Sequence, residues 1–236
     1  MPTTLSWHTR RRELETYFDE TAAEAWARLT SDAPVSRIRA TVRAGRDAMR
    51  RTLLDWLPRD LDGVRLLDAG CGTGALAVEA AQRGAEVVAI DVAANLVATA
   101  RERLPASLAG RVSFVVGDFA TQDLGRFDHA VAMDSLIHYR PQDVVAALAA
   151  LGAVVDRSIL FTFAPRTFLL GLMHAGGRLF PRGDRAPAIE PVAARTLARA
   201  LADEPALGAW QAARSVRVAS GFYTSQAQEL VRRCAA

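Results

Sequence analysis

The sequence predicts an α/β fold in which helices cover both faces of a doubly wound, mostly parallel sheet. In the stretch 64–91 an apolar run, a glycine-rich loop, a helical segment and a second apolar run follow one another, and this alternation continues to residue 163. Acidic residues stand at or just after the ends of four predicted strands, at Asp68, Asp91, Asp118 and Asp134. Parallel strands bring such ends to one edge of a sheet, so these carboxylates are expected to share a crevice.

Hydrophobic periodicity predicts the elements in order. Seven strands are expected, at Val64–Asp68, Glu86–Asp91, Val112–Val116, Phe127–Met133, Ser158–Phe163, Trp210–Val218 and Phe222–Val231. Between them the pattern predicts helices at Ala75–Arg83, Asn95–Leu104, Val144–Val155 and Val192–Leu201. The Ser220-Gly221 pair is typical of the turn between the last two strands.

Two amphipathic helices are predicted ahead of the sheet, at His8–Leu29 and Ile38–Leu57, because apolar residues recur on one face of each. The apolar faces are expected to consist of Leu14, Tyr17, Phe18, Ala25, Trp26 and Leu29 on the first helix, and Ile38, Val42, Met49, Leu53 and Trp56 on the second. Serines and a proline in 31–36 end the first helix and can cap the second. We therefore expect a helical substrate cap at 1–60 and a main domain at 61–236.

The segment 164–191, which follows the fifth predicted strand, combines apolar side chains with glycine, proline and arginine. Two interpretations stay open. The segment can be a long connector to the next helix, or a lid over a flat, apolar substrate that carries negative groups.

The glycine loop predicts a ligand site. Gly70, Gly72 and Gly74 allow sharp turns and expose backbone amides where the next helix begins. Their G-x-G-x-G spacing differs from the G-x-G-x-x-G of dinucleotide loops, and Asp68 suits a cationic amino-acid tail better than a pyrophosphate, which argues against an NAD-dependent oxidoreductase. Asp91 can accept two hydrogen bonds from a ribose diol. The arrangement resembles the cofactor half of S-adenosylmethionine-dependent methyltransferases, which implies a seven-stranded Rossmann-like sheet.

Length, charge and cysteine content narrow the class of protein. A chain of 236 residues can bury one full core. The net charge of +3 is dispersed, so no nucleic-acid partner is expected, although an anionic ligand or membrane surface would be attracted. Cys71 and Cys234 build neither a disulfide framework nor a zinc cluster, which favours the cytoplasm. Residues 1–14 lack the apolar core of a signal peptide, and no apolar run is long enough to span a membrane.

Four stretches, 17–47, 66–81, 161–189 and 218–233, together resemble the magnesium protoporphyrin IX O-methyltransferase family of bacteriochlorophyll biosynthesis. Many methyltransferases share the glycine loop, but the first and third stretches lie outside the cofactor core, where substrate families differ. The resemblance implies methyl transfer from S-adenosylmethionine to one propionate carboxyl of magnesium protoporphyrin IX, with S-adenosylhomocysteine as the other product. It also implies handover from the large subunit of magnesium chelatase and peripheral contact with photosynthetic membranes.

The resemblance further implies a set of cofactor-binding residues, namely Asp68, Gly70, Cys71, Gly72, Gly74, Asp91, Val92, Asp118, Phe119, Met133 and Ser135. Asp91 is expected on the ribose and Asp118 with Phe119 beside the adenine. Met133 and Ser135 are expected along the methionine tail. Cys71 is expected to be a small packing residue rather than a reactive thiol.

His138 and Tyr17 are the candidate catalytic residues. His138 follows the fourth predicted strand and could hydrogen-bond the reacting carboxyl or accept its proton, although a purely structural histidine stays open. Tyr17 matches a family position near the substrate pocket and is expected to orient the carboxylate. Arginines of the lid or of the second helix are expected to hold the second propionate. No protein-bound metal is expected, and a solvent-facing His174 is favoured over an axial ligand of the substrate's magnesium.

Two alternative functions share the predicted cofactor site. One is an O- or N-methyltransferase that acts on a different apolar small molecule. The other is a non-catalytic protein that carries S-adenosylmethionine or a porphyrin.

Overall fold

The structure, a computed structural model, describes residues 5–21, 26, 28–31, 34, 36–166 and 189–233. Within them lies a seven-stranded sheet with the order β3-β2-β1-β4-β5-β7-β6. The strands are β1 (Arg65–Ala69), β2 (Glu86–Asp91), β3 (Val112–Val116), β4 (Phe127–Ala132), β5 (Val155–Phe163), β6 (Trp210–Ser220) and β7 (Tyr223–Arg232). β7 runs antiparallel to both of its neighbours, whereas β1 to β5 pair in parallel. The prediction of a doubly wound, mostly parallel seven-stranded sheet is confirmed.

Helices precede the sheet and connect its strands, with ends shifted from those that the sequence predicts. They are α1 (Leu5–Thr16), α2 (Arg37–Trp56), α3 (Ala75–Gln82), α4 (Ala94–Arg103), α5 (Pro141–Val154) and α6 (Ala194–Ala202). The order of the sheet reverses between β1 and β4, which are neighbours although two strands separate them in the chain. In such sheets the crevice for a ligand lies outside the carboxyl ends of the strands at this reversal.

Two apolar layers cover the two faces of the sheet. On one face α2 and α3 pack on the strands through a cluster that includes Met49, Leu53 and Leu76. On the other face α1 and α5 pack through a cluster that includes Trp7, Leu14 and Leu148. The two N-terminal helices therefore lie on opposite faces of the sheet, and the strand ends between them form the floor of the crevice.

The first predicted helix differs from the observed one. Instead of a continuous α-helix over His8–Leu29, α1 begins at Leu5, and a π-helical turn follows at Tyr17–Thr21. Residues 22–25 and 27 lie outside the described residues. Such a turn redirects the side chains that follow it, and π-turns are frequent at functional sites.

The predicted apolar face of the second helix is wrong at Ile38, which is 55% exposed. Residues 37–40 are all exposed, Thr41 and Val42 are partly buried, and Gly45 is the first buried residue of α2, so the helix begins before it packs on the sheet. The division into a cap at 1–60 and a main domain at 61–236 stays a prediction. Of the predicted lid at 164–191, residues 167–188 lie outside the described residues, as do His174 and Cys234.

Within the part of the chain that the structure describes, no helix is both long and apolar enough to cross a bilayer.

Candidate functional site

The glycine loop lies at the carboxyl end of β1, where backbone geometry requires residues without a side chain. Gly70 and Gly72 have φ angles of 86° and 53°, in the left-handed region that favours glycine. The amides of Gly70 and Cys71 both donate to the carbonyl of Ile90, which holds the loop against β2. A Cβ atom on Gly70 would lie 2.3 Å from that of Ser135, so the loop after β4 closes directly on the glycine loop.

Asp91, at the end of β2, fixes the glycine loop from the other side. Its Oδ2 accepts a hydrogen bond from the Gly72 amide at 2.8 Å, and its Oδ1 accepts one from the Ala93 amide at 3.0 Å. Burial raises the pKa of this carboxyl, while these amides oppose that rise. Each carboxylate oxygen keeps a further lone pair, so the side chain can also receive two ligand hydroxyls.

Asp68 is the least satisfied polar group of the site. Its side chain is buried and its Oδ2 has no hydrogen-bond partner among the described residues. Burial, reinforced by the nearby charge of Asp91, raises the pKa of Asp68 to about 7. Two neighbouring carboxylates with an unpartnered oxygen favour a cationic ligand, because a positive charge offsets both the desolvation and the mutual repulsion.

Asp118, after β3, receives one donor on each oxygen. The Ala120 amide donates to Oδ1 at 2.9 Å, and the indole Nε1 of Trp7 donates to Oδ2 at 2.8 Å. Trp7 is 3% exposed and belongs to α1, so the N-terminal helix reaches this strand end. Phe119 packs edge-on against the Trp7 ring, with centroids 5.9 Å apart.

Asp134, after β4, has a different set of partners. Its Oδ2 lies 2.6 Å from Nη1 of Arg46, and it accepts hydrogen bonds from the hydroxyls of Tyr223 and Ser225. Its backbone has a φ of 53°, which is uncommon for a residue with a side chain. The Thr162 hydroxyl also donates to it, so four groups of the protein neutralise or bond this carboxylate. It therefore contributes to the wall of the site rather than to its free acceptors.

These strand ends surround one cavity of about 260 Å³. It brings together most of the residues predicted to bind the cofactor, namely Asp68, Gly70, Cys71, Gly72, Asp91, Val92, Asp118, Phe119, Met133 and Ser135. Gly74 is not among the lining residues. It precedes α3, and a Cβ atom there would lie 3.0 Å from both Ala100 and the Phe114 ring. Its absent side chain allows α3 to pack closely on its neighbours.

The candidate catalytic residues have different positions. His138 lies in a 3-10 turn after β4, is 8% exposed and lines the cavity, with the Phe18 ring 6.2 Å away. Tyr17 lies in the π-helical turn and packs edge-on against Phe18 at 5.2 Å. Phe18 lines the cavity, whereas Tyr17 is not among its described lining residues. Its predicted role stays a prediction.

Cys71 is partly buried in the loop. Burial, with the nearby charges of Asp68 and Asp91, raises the pKa of the thiol above its ordinary value. Since the thiolate is the reactive form, this environment favours a packing role.

The N-terminal segment contributes contacts that sequence reasoning missed. Asp19 accepts hydrogen bonds from the amides of Ala94 and Asn95, and so caps α4 from outside that helix. Thr73 of the glycine loop donates to the hydroxyl of Thr30 at 2.9 Å. The Arg46 guanidinium lies 4.6 Å above the Trp26 ring.

Three arginines of α2, Arg43, Arg46 and Arg50, line the cavity. The sequence predicts arginines of the second helix at the site without saying which, and the spacing of these three, by three and four residues, places them on one helical face. The sequence around Trp7 shows no comparable pattern that would place this residue at the site.

The described ends of the segment 164–191 lie beside His138. The amide of Arg166 donates to the Val192 carbonyl at 3.0 Å, and the Val192 amide donates to the Ala164 carbonyl at 2.9 Å. The Glu190 amide donates to the carbonyl of Ile137, in the turn that carries His138. The chain therefore leaves the sheet and returns to it at one point on the rim of the cavity.

This strand order, glycine loop and row of strand-end acids define the class of S-adenosylmethionine-dependent methyltransferases with a Rossmann-like sheet. A methyltransferase domain model matches residues 66–157, and the model of the magnesium-protoporphyrin IX methyltransferase C-terminus matches residues 132–232. The chain belongs to the magnesium-protoporphyrin O-methyltransferase family.

Two related sequences and a solved structure support this membership. A magnesium-protoporphyrin O-methyltransferase of Rhodobacter capsulatus is 49% identical over 93% of this chain and 95% of its own length. One from Synechocystis is 30% identical over 92% and 94% of the two chains. A crystal structure of magnesium protoporphyrin IX methyltransferase from Synechocystis PCC 6803 with bound SAH superposes with a TM-score of 0.82, at 28% identity, over 94% of this chain and 99% of that chain.

Proposed function

We propose that this protein transfers the methyl group of S-adenosylmethionine to a propionate carboxyl of magnesium protoporphyrin IX, which gives the monomethyl ester. The observation that carries the proposal is the 49% identity to the Rhodobacter capsulatus enzyme over almost the whole of both chains. An identity confined to the glycine loop would indicate only the cofactor. This one covers 93% of the chain and therefore extends far beyond the glycine loop.

The described residues fit S-adenosylmethionine. The unpartnered Oδ2 of the buried Asp68 suits the ammonium group of the methionine tail, and the remaining lone pairs of Asp91 suit the two ribose hydroxyls. We assign Asp118 and Phe119 to the adenine. The bound cofactor supplies the electrophilic methyl group on its sulfonium.

The acceptor side of the cavity combines apolar and cationic groups. Leu14, Phe18, Trp26 and Leu29 line the cavity together with the three arginines of α2, and we propose that the acceptor contacts these groups. A porphyrin is a broad apolar plate with two carboxylates at one edge, so it needs both kinds of contact. We propose that the α2 arginines hold the propionate that does not react, since a guanidinium binds carboxylate in a bidentate way and would blunt the nucleophile if it held the reacting one.

The protein acts mainly by positioning. A propionate has an ordinary pKa of about 4.3, so at neutral pH it is already ionised and attacks without an obligatory general base. Orientation of two reactants at about 3 to 3.5 Å supplies several kcal/mol of barrier reduction. His138, buried in the cavity wall, is the residue we assign to hydrogen bonding of the reacting carboxyl, and Tyr17 is assigned to its orientation.

The test is incubation of the protein with methyl-labelled S-adenosylmethionine and magnesium protoporphyrin IX. The expected product is a labelled ester that base hydrolyses to release label. Turnover of a phenol or an amine, with none of the porphyrin, would overturn the proposal in favour of another small-molecule methyltransferase. Tight porphyrin binding with no transfer to any acceptor would indicate a carrier.

We also propose handover of the porphyrin from the large subunit of magnesium chelatase and peripheral association with photosynthetic membranes. Family membership supports the first, and the net charge of +3 supports the second. Co-sedimentation with anionic and with neutral vesicles tests the membrane contact, which should appear only with anionic lipid at low salt. For the handover, addition of the porphyrin-loaded subunit should raise the rate above that with an equal amount of free porphyrin.

A further inference from the structure

Trp7 is placed between two loops of the cofactor crevice. Its ring stacks on Tyr139, with centroids 4.1 Å apart and planes 22° apart, and meets Phe119 edge-on. Tyr139 follows β4 and Phe119 follows β3. Phenylalanine would make ring contacts of the same kind, so ring packing alone does not account for the N–H of the indole.

The polar atom of the indole has a specific partner. Nε1 of Trp7 donates to Oδ2 of Asp118 at 2.8 Å, within a buried environment. The Ala120 amide donates to the other oxygen, so two donors from distant parts of the chain fix the plane of one carboxylate. The Arg11 Nε, also on α1, lies 4.0 Å from the same Oδ2. A carboxylate accepts about four hydrogen bonds, so lone pairs remain for a ligand.

A second contact holds α1 in place independently of Asp118. The hydroxyl of Ser6 lies 2.9 Å from both carboxylate oxygens of Asp143, in the first turn of α5. Two neighbouring residues therefore anchor α1: Trp7, which lines the crevice, and Ser6, which is not among its lining residues. This pair allows docking of the helix to be separated from orientation of Asp118.

We propose that Trp7 is a positioning residue for adenine recognition, whose indole N–H holds Asp118 in the orientation that accepts the exocyclic amine. The inference deepens the proposed function and depends on its assignment of Asp118 to the adenine. Without the indole donor, Oδ2 keeps only the longer ion pair with Arg11 at 4.0 Å, and the carboxylate can rotate. The amine then loses a directed acceptor, and the rest of the cofactor keeps its contacts.

The test compares two ligands that differ at one group. S-adenosylhomocysteine carries the amine, and S-inosylhomocysteine carries a carbonyl oxygen in its place, which faces the carboxylate unfavourably. Dissociation constants are measured by calorimetry for the wild type, Trp7→Phe and the matched control Ser6→Ala. The wild type should prefer the adenine ligand by about tenfold or more. Trp7→Phe should reduce that ratio by about threefold or more, and Ser6→Ala should leave it unchanged.

An unchanged ratio in Trp7→Phe, with both ligands weakened equally or not at all, would overturn the inference and leave Trp7 as a packing residue. If Trp7→Phe does not fold, incorporation of β-(3-benzothienyl)alanine at position 7 replaces the N–H by sulfur and keeps the bicyclic shape, and the same two outcomes apply. Absence of adenine preference in the wild type would instead remove the assignment of Asp118. The two failures are therefore distinguishable.

Discussion

Arg46 of α2 and Asp134 at the end of β4 form an ion pair that joins an N-terminal helix to the carboxyl edge of the sheet. Nη1 and Oδ2 are 2.6 Å apart, and the side chains are 18% and 3% exposed. The hydroxyl of Tyr223 lies 3.1 Å from both oxygens of the same carboxylate. Three elements distant in sequence therefore meet at one buried charge, which makes the wall of the cavity dependent on that charge.

Asp134→Asn should destabilise the fold. The amide keeps some of the hydrogen bonds but leaves the Arg46 guanidinium without its partner, at a cost of about 2 to 3 kcal/mol. Urea denaturation followed by circular dichroism measures the change. Asp156→Asn is the control, because it removes an exposed ion pair with Arg126 and should have little effect. Equal stability of both variants would contradict the prediction.

Affinity for S-adenosylhomocysteine should rise with pH around neutrality. The pKa of Asp68 is about 7 in the ligand-free protein, so below that value the carboxyl is largely protonated and attracts the ligand's ammonium group weakly. Above it the carboxylate is formed, and binding near neutral pH should release a proton. Calorimetry in buffers of different ionisation enthalpy measures this release. Asp68→Asn should bind weakly and with no such pH dependence, and an unchanged pH profile in that variant would contradict the assignment.

The raised pKa of Asp68 also affects the stability of the ligand-free protein. Since the folded-state pKa of Asp68 lies above its ordinary value of 3.8, the folded state holds the proton more tightly between these values. The contribution of this carboxyl to the free energy of unfolding is therefore greatest below pH 3.8 and is lost as the pH rises to about 7. Asp68→Asn should be more stable than the wild type at pH 8, and this difference should shrink towards pH 5.

Asp91→Asn should weaken cofactor binding. A ribose diol loses a charged acceptor worth about 1.5 to 3 kcal/mol, which corresponds to a roughly tenfold to hundredfold rise in the dissociation constant of S-adenosylhomocysteine. The asparagine oxygen can still receive the Gly72 amide, so the loop should stay in place. Asp123→Asn, on the exposed turn before Gly125, is a control that should bind as the wild type does. Unchanged affinity in Asp91→Asn would remove this residue from the ribose site.

His138→Ala should lower turnover more than porphyrin affinity, because the residue is assigned to the reacting carboxyl. Single-turnover rates and porphyrin fluorescence titration separate the two quantities. His138→Gln, which keeps a hydrogen-bond donor, should recover part of the rate if the residue orients the carboxyl and none if it must accept a proton. A wild-type rate in His138→Ala would exclude any role in the transfer.

Asp19→Ala should loosen the start of α4. The variant leaves the amides of Ala94 and Asn95 without their acceptor, and lost caps cost about 1 kcal/mol. Hydrogen exchange at these two amides should accelerate, while exchange in α5 should not change. Equal protection in the variant and the wild type would show that solvent replaces the cap at no cost.

The sheet and its acids were predictable because their signals are local. Apolar runs ended in aspartates at regular intervals, and the glycine loop has a spacing that separates it from dinucleotide loops, so Asp68, Asp91 and Asp118 could be placed at one edge from sequence alone. The structure brings these three into one cavity.

The position of Trp7 and the pairing of Arg46 with Asp134 escaped prediction for physical reasons. In α1 the buried residues are Trp7 and Leu14, seven positions apart in a polar helix, so the apolar periodicity is too sparse to mark where the helix begins. Arg46 pairs with a residue 88 positions later in the chain, and nothing near it in sequence indicates that partner. The π-helical turn at Tyr17–Thr21 likewise interrupts an apolar pattern that continues unbroken in the sequence.

The hydrogen bonds that join Val192 to Arg166 and to Ala164 have an evolutionary consequence. Because the chain segments that end at Arg166 and resume at Val192 are hydrogen-bonded to each other, the sheet does not dictate how many residues lie between them. Longer insertions add to the entropy cost of loop closure only slowly. Replacement of that stretch by its counterpart from a relative with another acceptor should leave the methyl-donor half undisturbed. The length of chain between Arg166 and Val192 can therefore change among relatives while the strand ends that carry Asp68 and Asp91 stay as they are.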